Sequence, residues 1–149
     1  MKILVAVDGS QCSRRAVDFL GLRTWNRDDC FFVLTVNEIV PAEFGLAHMP
    51  ETAERFDQNL QKENEKILTA AASKLKEKLA QNSVEVMITS GNIAPEICRV
   101  ARESDIDLVV LGSHGRKGLK KFFLGSVAEE VLKMAPCSVA IIRAKAESK

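Results

Sequence analysis

The sequence predicts a single α/β domain: a doubly wound, five-stranded parallel sheet in the order 3-2-1-4-5, Rossmann-like, with helices on both faces. Three observations carry that expectation. Continuous apolar runs at 3–7, 108–111 and 139–142 suit strands buried on both faces. Segments of helical period separate the strand-like runs, so right-handed βαβ units follow. One run, Val84-Glu85-Val86-Met87-Ile88, alternates in character and reads as a half-exposed strand near a sheet edge. At 149 residues and 46% hydrophobic content the chain has the length and core of one domain, placed at 1–143, with Ala144 to Lys149 as a polar tail.

Each element has its own signal. Lys2 to Asp8 is a buried strand that stops at Asp8-Gly9-Ser10. Ser10 is placed to cap a helix from about Gln11, with Ala16, Val17 and Leu20 facing inward. Cys30 to Val36 is the second strand. Residues 38–52, with Pro41, Gly45 and Pro50 and no period, read as a long loop. An amphipathic helix follows over 53–81, its stripe Phe56, Leu60, Ile67, Ala71, Leu75 and Leu79. It would reach about 40 Å. After the alternating strand, Pro95 marks the first turn of a third helix behind Gly91-Asn92. Asp107 to Leu111 is the fourth strand, Val127 to about Ala135 the fourth helix, and Ser138 to Arg143 the fifth strand. That last strand occupies the other edge and is apolar, so a homodimer paired through Val139–Ile142 is expected.

Composition excludes several classes. A net charge of +1 argues against a nucleic-acid binder. No apolar run approaches the roughly 20 residues of a membrane span, and no cleavable leader precedes the first strand, so a cytoplasmic protein is expected. Cys12, Cys30, Cys98 and Cys137 share no ligand spacing, and with only two histidines, His48 and His114, a zinc site is disfavoured. Cys30, Cys98 and Cys137 read as small core residues, and Cys12 as more accessible.

The informative segment is Gly112-Ser113-His114-Gly115, nine further residues, then Gly125-Ser126. It joins a buried strand to a helix start, where free N–H groups and partial positive charge can hold phosphate. A glycine lets an anion approach the backbone closely. The chain contains neither a P-loop nor G-x-G-x-x-G, and ordinary turns would explain the glycines equally well. Ser126-Val127-Ala128-Glu129 matches a capping box, which also accounts for Ser126. Arg116, Lys117, Lys120 and Lys121 make the loop basic, suited to phosphate or to solvent, while Leu119, Phe122, Phe123 and Leu124 read as anchors that pack the loop down. In the predicted strand order, Asp8 and Gly112 end neighbouring strands at the topological switch point, so both face one crevice. A phosphoacceptor receiver domain is excluded, because the third strand ends without an acid and the fifth without a lysine.

Ile3-Leu4-Val5-Ala6-Val7-Asp8-Gly9-Ser10, Ala16 and the G-x-x-G-x9-G-S element resemble the universal stress protein family, over Met1 to Arg143. The glycine element resembles its ATP-binding subgroup. The resemblance implies adenine held near Ala6 and Val36, ribose at Asp8 and Gly112, and phosphates at the backbone of Gly115, Gly125, Ser126 and Val127 with the serine hydroxyl, Mg²⁺ or Mn²⁺ accompanying ATP, ADP or AMP. Val7, Leu111, Ser113, His114 and Arg116 complete the expected nucleotide-binding set. It also implies a dimer through the last strand. The expected role is a nucleotide-dependent switch or adaptor in stress response with a protein partner. A slow ATPase, or autophosphorylation at Ser113 or Ser126, is the alternative, and a ligand-free dimer module is a third possibility.

Overall fold

A computed structural model describes residues 1–39, 50–115 and 124–143. Five strands, β1 (Lys2–Ala6), β2 (Cys30–Glu38), β3 (Ser83–Gly91), β4 (Leu108–Gly112) and β5 (Ser138–Ile142), form one sheet. Its order is β3-β2-β1-β4-β5, as expected, and every pairing is parallel. Four helices alternate with them: α1 (Gln11–Gly21), α2 (Pro50–Lys78), α3 (Ile93–Glu103) and α4 (Ser126–Met134).

Two apolar layers hold the sheet. On one face Ile3, Val5, Phe31, Val33 and Val110 pack against Ala16, Val17 and Leu20 of α1 and Leu68, Ala72 and Leu75 of α2. On the other, Leu4, Leu34, Val109 and Leu111 meet Ala94, Ile97 and Cys98 of α3 and Ala128 and Val131 of α4. The period-two alternation of each central strand divides its residues between the two layers, which is why both faces had to be apolar.

The structure moves several boundaries. The 38–52 loop loses both ends, because Glu38 completes β2 and Pro50 opens α2. Proline suits a first helical turn, where its missing N–H costs nothing. The long helix is therefore Pro50–Lys78 rather than 53–81. Beyond it the chain turns at Asn82, whose side-chain amide donates to the carbonyls of Asn26 and Asp29 at 2.7 and 2.9 Å. β3 is an edge strand, yet Val86 and Ile88 are 52% and 43% exposed, while Val84 and Met87 pack on the two cores. Val86 and Ile88 lie in register with Val33 and Thr35 on the α1–α2 side, past the strip of edge that the helices cover. Cys12 is buried at 7% exposure, contrary to expectation, because α1 begins directly against β4. Cys98 is buried as expected, whereas Cys30 and Cys137 are only half-buried. His48, the basic residues 116–121 with Leu119, Phe122 and Phe123, and the polar tail lie outside the described residues.

Candidate functional site

Two loops meet above the junction of β1 and β4. The first leaves β1 through Val7, whose N–H still donates to the Leu34 carbonyl at 2.9 Å. Gly9 then turns the chain with φ +80°, a conformation open to glycine. The Asp8 carboxylate accepts the Ser10 N–H at 2.9 Å. Ser10 caps α1 as expected, its Oγ accepting from the Ser13 N–H at 3.2 Å. The same hydroxyl donates to the His114 carbonyl at 3.2 Å, which ties the β1 loop to the β4 loop.

The second loop is anchored at Ser113. Its N–H donates to the Ile142 carbonyl at 2.8 Å, and its carbonyl accepts from the Gly125 N–H at 2.8 Å. Its buried hydroxyl lies 3.0 Å from His114 Nδ1 and 3.7 Å from Cys12 Sγ. Among the described residues, Nε2 of His114 is buried without a hydrogen-bond partner. A buried polar atom with no partner is uncommon and marks a place where a ligand atom can be accepted.

The capping box does not form. Gly125 is the N-cap residue and no side chain caps α4. The Ser113 carbonyl holds Gly125 extended, so Ser126 already stands inside the helix. Glu129 turns instead to Lys133 at 2.7 Å, which lowers the pKa of its carboxyl. With no side chain in the way, the first turn of α4 presents its backbone N–H groups outward.

These pieces enclose one cleft of about 330 Å³. Ala6, Val7, Asp8, Val36, Leu111, Gly112, Ser113, His114, Gly115, Gly125, Ser126 and Val127 all line it, whereas Arg116 lies outside the described residues. One part of the wall is apolar, with Ala6, Leu34, Val36, Ile93, Ile97 and Leu111. The rest is polar, from Asp8, Ser10, Ser113 and His114 to the amino end of α4. Sequence reasoning missed Leu60 and Asn64, with which α2 reaches the cleft, and also Thr35, Glu38, Ile93 and Ile97. Asn64 left a trace: it is a polar residue within the apolar stripe of α2, 3% exposed, donating to Asn37 Oδ1 at 2.7 Å.

The motif glycines have structural reasons of their own. A Cβ on Gly112 would lie 2.6 Å from Cys12 Cβ and 2.8 Å from the Ser13 nitrogen, so this glycine admits α1. A Cβ on Gly125 would lie 2.9 Å from the Ser113 carbonyl oxygen. Only at Gly115 is the near neighbour a movable side-chain atom, Asp8 Oδ2 at 3.0 Å. Among the described residues no group of three or more His, Cys, Asp or Glu side chains could hold a metal ion, and no helix is long and apolar enough to cross a membrane.

Fold and site define a doubly wound α/β domain with its cleft at the topological switch point. The chain belongs to the universal stress protein family, which matches residues 1–143. It is 33% identical over 147 residues to universal stress protein YxiE of Bacillus subtilis, covering 95% of this chain and 98% of that one. The solved structure of MJ0577, from Methanocaldococcus jannaschii, matches 99% of this chain and 97% of its own at 25% identity, with a TM-score of 0.74. A family member from Arabidopsis thaliana, solved with AMP bound, shares the fold at a TM-score of 0.71 and 21% identity, over 99% of this chain and 94% of that one.

Proposed function

We propose that this chain binds an adenine nucleotide, ATP foremost, in the switch-point cleft and acts as a nucleotide-dependent switch or adaptor in stress response. One observation carries the reading: a single cleft joins an apolar wall to the uncapped amino end of α4. A nucleotide has the same division, a flat apolar base at one end and phosphate at the other. In this assignment the base lies against Ala6, Val36 and Leu111, Asp8 accepts from ribose hydroxyls, and the N–H groups at 126–128 receive phosphate oxygens. His114 Nε2 offers a further contact. A Mg²⁺ or Mn²⁺ ion would arrive on the phosphate oxygens, since the described residues supply no cluster of metal-binding side chains. The AMP held by the Arabidopsis relative supports the choice of ligand class. Isothermal titration with ATP and Mg²⁺ tests it: saturable binding is expected, and no heat at millimolar nucleotide ends the proposal.

A slow self-modifying reaction is the second reading, and the position of Ser126 favours it. Ser126 is exposed in the cleft at the start of α4, whereas Ser113 is buried and hydrogen-bonded. Incubation with γ-labelled ATP would give protein-bound label that disappears in Ser126→Ala.

The same reading includes a homodimer through β5. Among the described residues that strand has no neighbour on its outer side, Val139–Ile142 are only half-buried, and Leu132 and Met134 of α4 are 54% and 45% exposed nearby in sequence. Light scattering showing a monomer at high micromolar concentration would remove it. A cytoplasmic location completes the proposal; fractionation that recovers the chain with membranes would oppose it.

A further inference from the structure

A second concave surface lies between α1 and α2. It has a volume of about 350 Å³, within the lower range of small-ligand sites. Val7, Val17, Ile67, Ala70 and Ala71 form its apolar floor. The space exists because Ala70 and Ala71 carry one side-chain carbon each where α2 faces α1. Arg14, Lys66 and Lys74 stand around it, with no acidic residue in the lining.

Charge selects the occupant. Lys74 is neutralised by Asp18 of α1 at 2.5 Å. Lys66 makes no ion pair among the described residues. Arg14 donates through Nε to the Gly9 carbonyl at 3.1 Å, which leaves the outer guanidinium nitrogens for another partner. Two cations therefore remain over an apolar floor.

The groove is separate from the cleft. Gly9 of the β1–α1 turn touches Ile67, whose Cδ1 would lie 2.8 Å from a Cβ at position 9. Gly9 and Ile67 line the groove alone, while Val7 and Ser13 are shared with the wall of the cleft.

We propose that the α1–α2 groove is a second ligand site that takes a small amphipathic anion: a ring system or short acyl chain bearing one carboxylate, sulfonate or phosphate. The apolar body covers Val17, Ile67 and Ala71, and the anion meets Lys66 and Arg14.

Fluorescence titration of the full chain with anilinonaphthalene sulfonate tests this. Saturable binding at one site is expected. Decanoate should displace the dye about three- to tenfold more effectively than decanol. Ala70→Trp, at an exposed position, should fill the groove and abolish binding with the melting curve unchanged. Lys66→Glu combined with Arg14→Glu should weaken binding by about three- to tenfold, as expected for charges at a solvent-exposed rim. Saturating ATP should leave the dye in place. No saturable binding, equal competition by decanol, an unaffected charge-reversal variant or displacement by ATP would each overturn the proposal. Where Ala70→Trp fails to fold, the charge-reversal variant and the decanoate comparison decide alone.

Discussion

Gly112→Ala is expected to destabilise the fold through backbone collision, in a chain whose other contacts are unchanged. The new Cβ would sit 2.6 Å from Cys12 Cβ, 2.7 Å from the Cys12 carbonyl carbon and 2.8 Å from the Ser13 nitrogen. Carbon atoms pack comfortably at about 3.5 Å or more, so α1 must retreat by close to 1 Å. No rotamer change relieves this, because two of the three atoms are main chain. Retreat is resisted by the Ser10 cap and by its bond to the His114 carbonyl. Overpacking of this kind costs about 1–3 kcal/mol, and backbone contacts place it at the upper end. Alanine recovers roughly 0.4–1 kcal/mol by restricting the unfolded chain. A net loss of about 2 kcal/mol remains, equivalent to roughly 6 °C in melting temperature for a domain of this length. Urea and thermal unfolding monitored by circular dichroism measure it. A variant as stable as the parent would show that α1 and β4 are not held as close as described, and the reason given for Gly112 would fall.

Gly115→Ala makes the contrast, since among the described residues its Cβ would meet only the movable Asp8 carboxylate. Stability should fall by less than about 1 kcal/mol, while calorimetric ATP affinity drops at least about tenfold; unchanged affinity would remove position 115 from the proposed site. Asn64→Leu should cost about 1–3 kcal/mol in urea unfolding, because the Asn37 carboxamide loses a buried donor. Glu96 is held below the usual carboxylate range by its hydrogen bonds from Arg99, at 2.7–3.3 Å. A depressed pKa contributes stability above the unfolded-state value and loses it as pH falls through the folded one. Carbon-detected NMR titration should show Glu96 moving up toward the ordinary range in Arg99→Ala, with less stability lost on acidification. Burial raises the Cys98 thiol, so its alkylation at pH 8 should require opening of the fold and run far slower than in urea.

Most of the architecture was legible because it follows from pattern. Continuous apolar runs placed β1, β4 and β5, and the alternating run placed β3 at an edge. What failed depended on how elements meet. The capping box at Ser126 is a sound local motif, but the Ser113 carbonyl, thirteen residues earlier in the chain, takes the Gly125 N–H and advances the helix start. Leu60 and Asn64 fall within the helical stretch, but nothing in the sequence shows that this face reaches the cleft, because the rotation of α2 is set by its docking on β2 and β3. Cys12 stands among polar residues in the chain, and its burial comes from β4, a hundred residues away. Val86 and Ile88 satisfied the alternation rule and remain exposed, because periodicity does not report how far a covering helix extends.

The three motif glycines answer to different constraints. Two of them wedge the architecture together, one beneath a helix and one against a carbonyl. A descendant with no ligand to hold would therefore still lose stability on replacing Gly112 or Gly125, because a Cβ at either meets backbone. Their survival across a lineage would testify to masonry, and the fate of position 115 would be the better witness to commerce.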